Sequence, residues 1–158
     1  MAYNVIDLIN KSIDMEERRK KLYENIGKQQ KEHSSIKIMS KVLIKNIDNT
    51  IKHYKDLNRE LKNIELEEID FWTYDKISFL INQYNKKQYA VSFDNVGDYI
   101  KFSLNLEKDM YSLLIDIKGR FVKDTKDTYT KTYEILSDII SNRVKHIETL
   151  EKILRAKV

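Results

Sequence analysis

Hydrophobic side chains recur along this chain at intervals of three and four residues, which is the period of an amphipathic α-helix. The pattern extends over four long segments, residues 5–26, 36–62, 96–117 and 125–154. In the second of these the apolar stripe includes Met39, Leu43, Ile47 and Leu57. The pattern therefore predicts four long helices.

Residues that favour helix ends flank several of these segments. Polar side chains that can cap a helix N-terminus precede three of them: Asn4, Ser34 or Ser35, and Asn95. Glycines, which often end helices, follow two of them: Gly27 and Gly119. We therefore expect the helices to begin and end close to these positions.

The lengths of the connections indicate how the helices pair. Two of the links are short, residues 27–35 and 118–124, and short links join antiparallel neighbours. The sequence therefore predicts two helical hairpins, one over residues 4–62 and the other over residues 96–155.

A longer crossover, residues 63–95, separates the two hairpins. Within it, the stretch TYDKISFLINQY is expected to form a short helix capped by Thr73. Two hairpins joined by one long crossover have the connectivity of a ferritin-like four-helix bundle. The prediction is therefore an all-α fold of this kind, with residues 1–158 in a single domain.

Composition narrows the class of protein further. The 158 residues include no cysteine, which excludes a disulfide scaffold, a thiolate zinc site and an iron–sulfur centre. The first residues, MAYNVIDLIN, are unlike a signal peptide, and no run approaches the roughly 20 apolar residues of a membrane span. We therefore expect a cytoplasmic protein that does not enter a membrane.

The charge pattern bears on a nucleic-acid role. The net charge is +4, and a basic protein invites that interpretation. Lysines and arginines nevertheless alternate with acidic residues along every predicted helix, as in EERRKK and KHYKDLNRELK. Solvated helix faces explain this pattern more simply than a basic patch, so nucleic acid is the least supported partner.

The two predicted hairpins resemble each other in sequence. When the third helix is aligned on the first, Asn4 meets Asn95 and Glu16 meets Glu107. When the fourth is aligned on the second, at nearly the same offset, His53 meets His146. Periodic helices can match apolar residues by chance, but matched polar residues are harder to explain in that way. We interpret the chain as a duplicated hairpin, with one glutamate and one histidine of each copy directed towards a shared core.

These residues are similar to the rubrerythrin-like branch of the ferritin-like superfamily over nearly the whole chain. IDMEERRKKLYENI resembles the first helix of that family, in which an inward glutamate precedes a tyrosine, here Glu16 and Tyr23. LNLEKDMYSLL resembles its third helix, with Glu107 in the ligand position. In the family, these glutamates and a Glu-x-x-His motif on each of the other two helices hold two irons. The resemblance therefore implies metal ligands at Glu16, His53, Glu107 and His146.

The chain departs from the family at two ligand positions. Thr50 and Arg143 stand where the glutamates of the Glu-x-x-His motifs belong. Arginine remains protonated and repels a neighbouring metal cation, but it can bridge carboxylates through bidentate hydrogen bonds. Our hypothesis is a di-iron centre replaced in part by a polar network in which Arg143 neutralises Glu16 and Glu107. The network would extend to Asn49 and Asn142.

Two other interpretations of these residues remain open. The remaining two glutamates and two histidines could hold one iron, zinc or manganese ion if Arg143 turned away. The histidines could instead be core side chains that hydrogen-bond to polar neighbours. On the first hypothesis we expect no bound cofactor; on the alternative, the metal would be iron, zinc or manganese.

Two functions follow from these interpretations. The first is a non-enzymatic ferritin-like protein with a structural, sensing or partner-binding role. The alternative is a metal-dependent oxidoreductase acting on peroxide, oxygen or iron, which would need an external electron donor because the chain has no CxxC motif. A homodimer is the default assembly, and Phe71 and Trp72 in the crossover are candidates to cover a bundle end or a dimer interface.

Overall fold

The computed structural model describes residues 3–30, 32–87, 89 and 93–157 of the chain. These residues form five α-helices: α1 (Val5–Gln29), α2 (Ser34–Leu61), α3 (Phe71–Asn85), α4 (Val96–Phe121) and α5 (Lys131–Lys157). A short 3₁₀ helix (Thr125–Tyr129) precedes α5. In this part of the chain the only β-type pairing is an isolated bridge between Tyr3 and Ile69. The predicted all-α fold class is confirmed.

The helices belong to two compact units. One consists of Ile6–Glu65 and Tyr89–Tyr99, and so contains most of α1 and all of α2. The other consists of Met1–Val5, Leu66–Gln88 and Ile100–Val158, and so contains α3, most of α4, the 3₁₀ helix and α5. The ferritin-like arrangement of four helices in a single domain stays a prediction. Residue 31 of the first predicted link and residues 88 and 90–92 of the crossover lie outside the described residues.

In the first unit, α1 and α2 run antiparallel. The Asn58 amide donates to the Asn10 side-chain oxygen at 2.8 Å, and Lys20 forms an ion pair with Asp48 at 2.8 Å. Residues further along α1 therefore contact residues that come earlier in α2. This is the order of contacts in two antiparallel helices joined by a short link.

In the second unit, α5 runs antiparallel to α4. The Lys118 ammonium lies 4.5 Å from the centre of the Tyr133 ring, near the link between the two helices. Further along, Arg143 of α5 contacts Glu107 of α4. The short helix α3 belongs to the same unit, and its buried residues are Thr73, Ile77 and Ile81.

The helix starts show which capping predictions were right. Asn95 caps α4 as predicted, because its side-chain oxygen accepts a hydrogen bond from the Asp98 amide at 2.9 Å. The predicted cap of α3 is wrong. Asp70 holds that position, and its carboxylate accepts both the backbone amide and the hydroxyl of Thr73, at 2.9 and 2.8 Å. Helix α3 therefore begins two residues before Thr73, since the charged side chain of Asp70 is the stronger acceptor at this helix start.

Other predicted boundaries also move. Gly27 and Gly119 lie inside α1 and α4 rather than beyond their ends, and no described residue has a positive φ. These helices therefore do not end with the left-handed residue that glycine would provide. Helix α2 already includes Ser34, and His33 occupies its N-cap position without a side-chain hydrogen bond. The segment predicted to be helical from residue 125 begins as the 3₁₀ helix, and α5 starts at Lys131.

Apolar side chains fill the interior of each unit. In the first unit, Ile9, Tyr23, Ile26 and Ile36 are almost completely buried, and in the second unit the same is true of Ile77, Ile100 and Met110. Burial of each such side chain contributes about 1.5–3 kcal/mol to folding. Within the described residues, no helix has both the length and the apolar character needed to cross a membrane.

Candidate functional site: two buried arginine–glutamate pairs

The first candidate site residue, Glu16, lies in the interior next to an arginine of its own helix. The Nη1 group of Arg19 donates a hydrogen bond to Oε2 of Glu16 at 2.8 Å. Residues three apart on a helix share a face, so α1 brings the two side chains together without help from another element. Both side chains are buried.

The second candidate glutamate, Glu107 on α4, meets an arginine from a different helix. The Nη1 group of Arg143 on α5 donates to Oε2 of Glu107 at 2.7 Å. This contact depends on the antiparallel packing of α4 on α5, because the two residues are far apart in sequence. None of the four charged residues in the two pairs is more than 6% exposed.

Burial of these charges is tolerable because each carboxylate has a cation at hydrogen-bonding distance. An isolated carboxylate in a protein interior would carry a large desolvation penalty. Charge-assisted hydrogen bonds of 2.7–2.8 Å offset that penalty. Such pairs need not add net stability compared with apolar residues, but loss of one partner is strongly destabilising. Each glutamate therefore needs a cation beside it to be buried in its charged form.

Aromatic residues surround the pair on α1. The guanidinium carbon of Arg19 lies 5.8 Å from the centre of the Tyr23 ring, which is within the range of a cation–π contact. Tyr23 also makes an edge contact with Tyr99, with ring centres 6.1 Å apart. The Tyr99 hydroxyl shares a 2.7 Å hydrogen bond with Ser40, and burial raises the pKa of Tyr99, so this phenol stays neutral at ordinary pH. Tyr23, which the family resemblance pairs with Glu16 and makes a candidate to support the site, thus lies beside the arginine of its own helix.

The second helix does not place its candidate residues with Glu16. His53 and Asn49 are exposed, and the hydroxyl of Thr50 donates to the backbone carbonyl of Asn46 at 3.0 Å. The buried face of α2 passes through Ile47, Ile51 and Tyr54. The expectation that His53 faces the interior is therefore wrong, because the helical period turns His53 away from that face.

The candidate residues on α5 lie closer to the interior. His146 and Asn142 are half-buried, three residues after and one residue before the buried Arg143. The two halves of the inferred repeat thus differ, since the histidine of one is exposed while that of the other is half-buried. Among the residues that the structure describes, no three histidine, aspartate or glutamate side chains lie close enough together to hold a metal ion.

These side chains do not fit the ligand set of a di-iron centre. Such a centre needs about four carboxylates and two imidazoles around the metals. Here Glu16 and Glu107 each direct an oxygen to a guanidinium, which is a permanent cation. Thr50 uses its hydroxyl on its own helix backbone. We therefore derive no chemistry that requires iron at these positions.

The structure assigns a role to one residue that the sequence hypothesis did not use. That hypothesis relied on Arg143 alone to neutralise the two glutamates, and the structure adds Arg19, whose Nη1 group donates to Glu16. The signal was present in the sequence, because an arginine three residues after an inward glutamate lies on the same helix face.

A separate cavity of about 140 Å³ lies in the second unit, at the start of α5. Its lining includes Glu67, Asp70, Lys123 and Thr132. The Glu67 carboxylate accepts hydrogen bonds from the backbone amides of Lys131 and Thr132, and so caps α5 from outside the helix. Hydrogen bonds from Thr73 and Lys123 lower the pKa of Asp70 from 3.8 to about 2. The charged side chains around this cavity thus hold helix ends in place.

Comparison of the chain with protein-family models, with curated proteins and with solved structures gives no match. The class established by the fold and the site is therefore an all-α protein with two buried arginine–glutamate pairs. The similarity to rubrerythrin-like proteins remains an expectation from the residues quoted above.

Proposed function

We propose that this protein is a non-enzymatic member of the ferritin-like superfamily, related to rubrerythrin, in which arginines replace the charge of the metals. Its role would be structural, sensing or partner-binding. The observation that carries the proposal is the contact of Arg143 with Glu107 at 2.7 Å. In the family that the sequence resembles, the position of Arg143 belongs to a carboxylate ligand.

Charge balance supports this proposal. A buried carboxylate whose metal had been lost would be costly to keep ionised. A guanidinium supplies a fixed positive charge and several hydrogen-bond donors, but it has no redox chemistry. Arg19 and Arg143 would thus preserve the helix packing of a metal protein without preserving its reaction.

The first test is the metal content of protein expressed with added iron and purified without chelators. We expect iron, zinc and manganese each well below one ion per chain by elemental analysis. Peroxide should not be consumed above the rate of a heat-denatured control. Two metals bound by Glu16 and Glu107, located by anomalous scattering, would overturn the proposal, and so would peroxide turnover that depends on bound metal.

A variant that restores the family's ligand gives a second test. Arg143→Glu would place a second carboxylate beside Glu107, with His146 one turn further along α5. We expect this variant to bind a divalent metal such as Zn²⁺ in a calorimetric titration, whereas Arg143→Gln should not. If neither variant binds metal, position 143 does not correspond to a former ligand, and this part of the proposal fails.

The location and assembly of the protein are also proposals. A cytoplasmic location is supported by the lack of cysteine, which fits a reducing compartment. A homodimer is supported by the general prevalence of two-fold assemblies. Neither is needed for the exchange of metal for arginine.

A further inference from the structure

One face of α3 is apolar and exposed although its opposite face is buried. Trp72 and Phe79 are 74% and 61% exposed, and both belong to a 15-residue helix that is well packed on its other side. The two residues are seven apart, so they lie on the same face two turns from each other. Asp75 and Lys76, both exposed, lie on that face between them. We call these four residues the α3 stripe.

The charges at the middle of the α3 stripe are not satisfied within the described part of the chain. Neither Asp75 nor Lys76 has an ion-pair partner among the described residues. They cannot pair with each other well, because adjacent residues on a helix do not face one another. Large aromatic side chains such as Trp72 and Phe79 are enriched at protein–protein interfaces.

The order of residues in the α3 stripe is complementary to itself. If a second α3 lies antiparallel across the stripe, with the two-fold axis between positions 75 and 76, Trp72 meets Phe79 of the second copy. In the same arrangement Asp75 meets Lys76 of the second copy, and the reciprocal pair forms by symmetry. A parallel arrangement would instead place Asp75 against Asp75 and Lys76 against Lys76, which is repulsive. The charges thus select one orientation.

We propose that the α3 stripe is the contact surface of a homodimer in which α3 packs antiparallel on α3 of a second copy. The occupant is identified by this charge complementarity, since a second copy supplies each charge with its opposite and each aromatic ring with another. The proposal is independent of the arginine–metal exchange, because the stripe shares no residue with the two buried pairs.

The area of the contact indicates how strong the dimer is. A buried aromatic side chain removes about 150–250 Å² from water, so Trp72 and Phe79 from both copies give several hundred Å². With the charged pairs and the neighbouring Phe71, which is also exposed, the total lies near the lower limit of specific interfaces, about 1,200 Å². The dimer should therefore be reversible, with dissociation measurable by sedimentation velocity.

The test uses two charge-reversal variants, alone and mixed. Asp75→Lys gives a stripe with two positive charges, and Lys76→Asp gives a stripe with two negative charges. We expect wild-type protein to dimerise between about 1 and 100 µM, the range in which small reversible interfaces associate. Each variant alone should dimerise at least about tenfold more weakly. An equimolar mixture of the two should form a heterodimer at least as strong as the wild-type dimer.

Two further variants separate this contact from other surfaces. Trp72→Ala should raise the dimer dissociation constant at least about tenfold, because tryptophans that become buried in an interface are frequent hot spots. Tyr129→Ala removes an aromatic side chain that is 84% exposed in the 3₁₀ helix, and it should leave the constant unchanged. Circular dichroism should be the same for all variants, since every substituted side chain is exposed.

Three outcomes would overturn the proposal. The first is wild-type protein that stays monomeric over the whole concentration range, which would leave the stripe to a different partner. The second is a dimer that neither Trp72→Ala nor the charge reversals weaken. The third is a mixture of the two charge variants that associates no better than either alone, because any contact that joins positions 75 and 76 of two copies predicts that rescue.

Discussion

Each buried glutamate has a guanidinium at hydrogen-bonding distance, and the two pairs arise in different ways. Arg19 reaches Glu16 along a single helix, at a spacing of three residues. Arg143 reaches Glu107 only because α5 packs on α4. The first pair could have been predicted from spacing on one helix, whereas the second required a correct pairing of helices.

The pair on α4 and α5 makes a prediction about stability. Arg143→Met should lower the free energy of unfolding by about 3–5 kcal/mol, because it removes the guanidinium that donates to the buried Glu107 carboxylate. The double variant Glu107→Leu/Arg143→Met should recover most of this loss, since both charges are then absent. Urea unfolding followed by circular dichroism measures both values.

The control for this pair is Arg155→Met, which removes an exposed arginine from the same helix. It should change the free energy of unfolding by less than about 0.5 kcal/mol. If Arg143→Met were equally mild, Glu107 would have enough other hydrogen bonds to remain charged without the guanidinium.

At the scale of single elements, the helix starts depend on short polar contacts that periodicity does not predict. The apolar pattern located the interior of every long helix, but it placed the cap of α3 on Thr73 instead of Asp70. Both residues are capping types, and only the structure shows that Thr73 donates its hydrogen bonds to the aspartate. Boundaries were harder to predict than helices because a boundary rests on one or two side chains, whereas a helix interior rests on many.

Asp70, the N-cap of α3, should make the free energy of unfolding depend on pH. Asp70→Ala should reduce the free energy of unfolding at neutral pH by about 1 kcal/mol, the usual cost of losing an N-cap. Because folding lowers the pKa of Asp70 from 3.8 to about 2, its contribution is complete above the unfolded value. It is lost as the pH falls from about 4 through about 2. Stability curves of the variant and wild type should therefore converge at the acidic end.

Asp138→Asn provides the comparison for this prediction. Asp138 is an exposed aspartate on α5, away from any helix start. Its substitution should leave both the stability and its pH dependence close to those of the wild type. If Asp70→Ala keeps the same deficit at pH 2 as at pH 7, the loss does not come from the ionised cap.

Replacement of the two glycines inside α1 and α4 by alanine should also change the free energy of unfolding. Gly119 lies within α4, and a Cβ atom at this position would meet no other atom within 4 Å. Gly119→Ala should therefore raise the free energy of unfolding by about 0.5–1 kcal/mol, the helix preference of alanine over glycine. Gly27→Ala should gain less, because its Cβ would lie 3.3 Å from the Cβ of Ser40. Thermal unfolding of both variants measures the difference.

For the whole molecule, each compact unit contains one of the two buried arginine–glutamate pairs. Glu16 and Arg19 both belong to the unit with α1 and α2, and Glu107 and Arg143 both belong to the unit with α3 to α5. Each unit therefore supplies a cation at hydrogen-bonding distance from its own buried carboxylate. On the proposal that these arginines stand where metals once bound, neither unit needs an ion in order to fold.

This pairing predicts how stability responds to metals. A ligand that binds the folded state raises the melting temperature, and its removal lowers it. We therefore expect the Tm of the wild-type protein to be unchanged by EDTA and by added Fe²⁺, Mn²⁺ or Zn²⁺ at low excess. A drop in Tm with EDTA that is reversed by one of these metals would reveal a structural metal and contradict the proposed exchange.

The sequence by itself determined the helical class, the positions of the long helices and the inward placement of Glu16 and Glu107. These features follow from the period of apolar residues, which is a local property repeated over many positions. Only the tertiary structure decided that Glu107 contacts Arg143, that His53 lies outside and that Trp72 and Phe79 stay exposed. Such features depend on which helix faces pack together. A periodic pattern shows which face of each helix is apolar, but it does not show which other helix packs against that face.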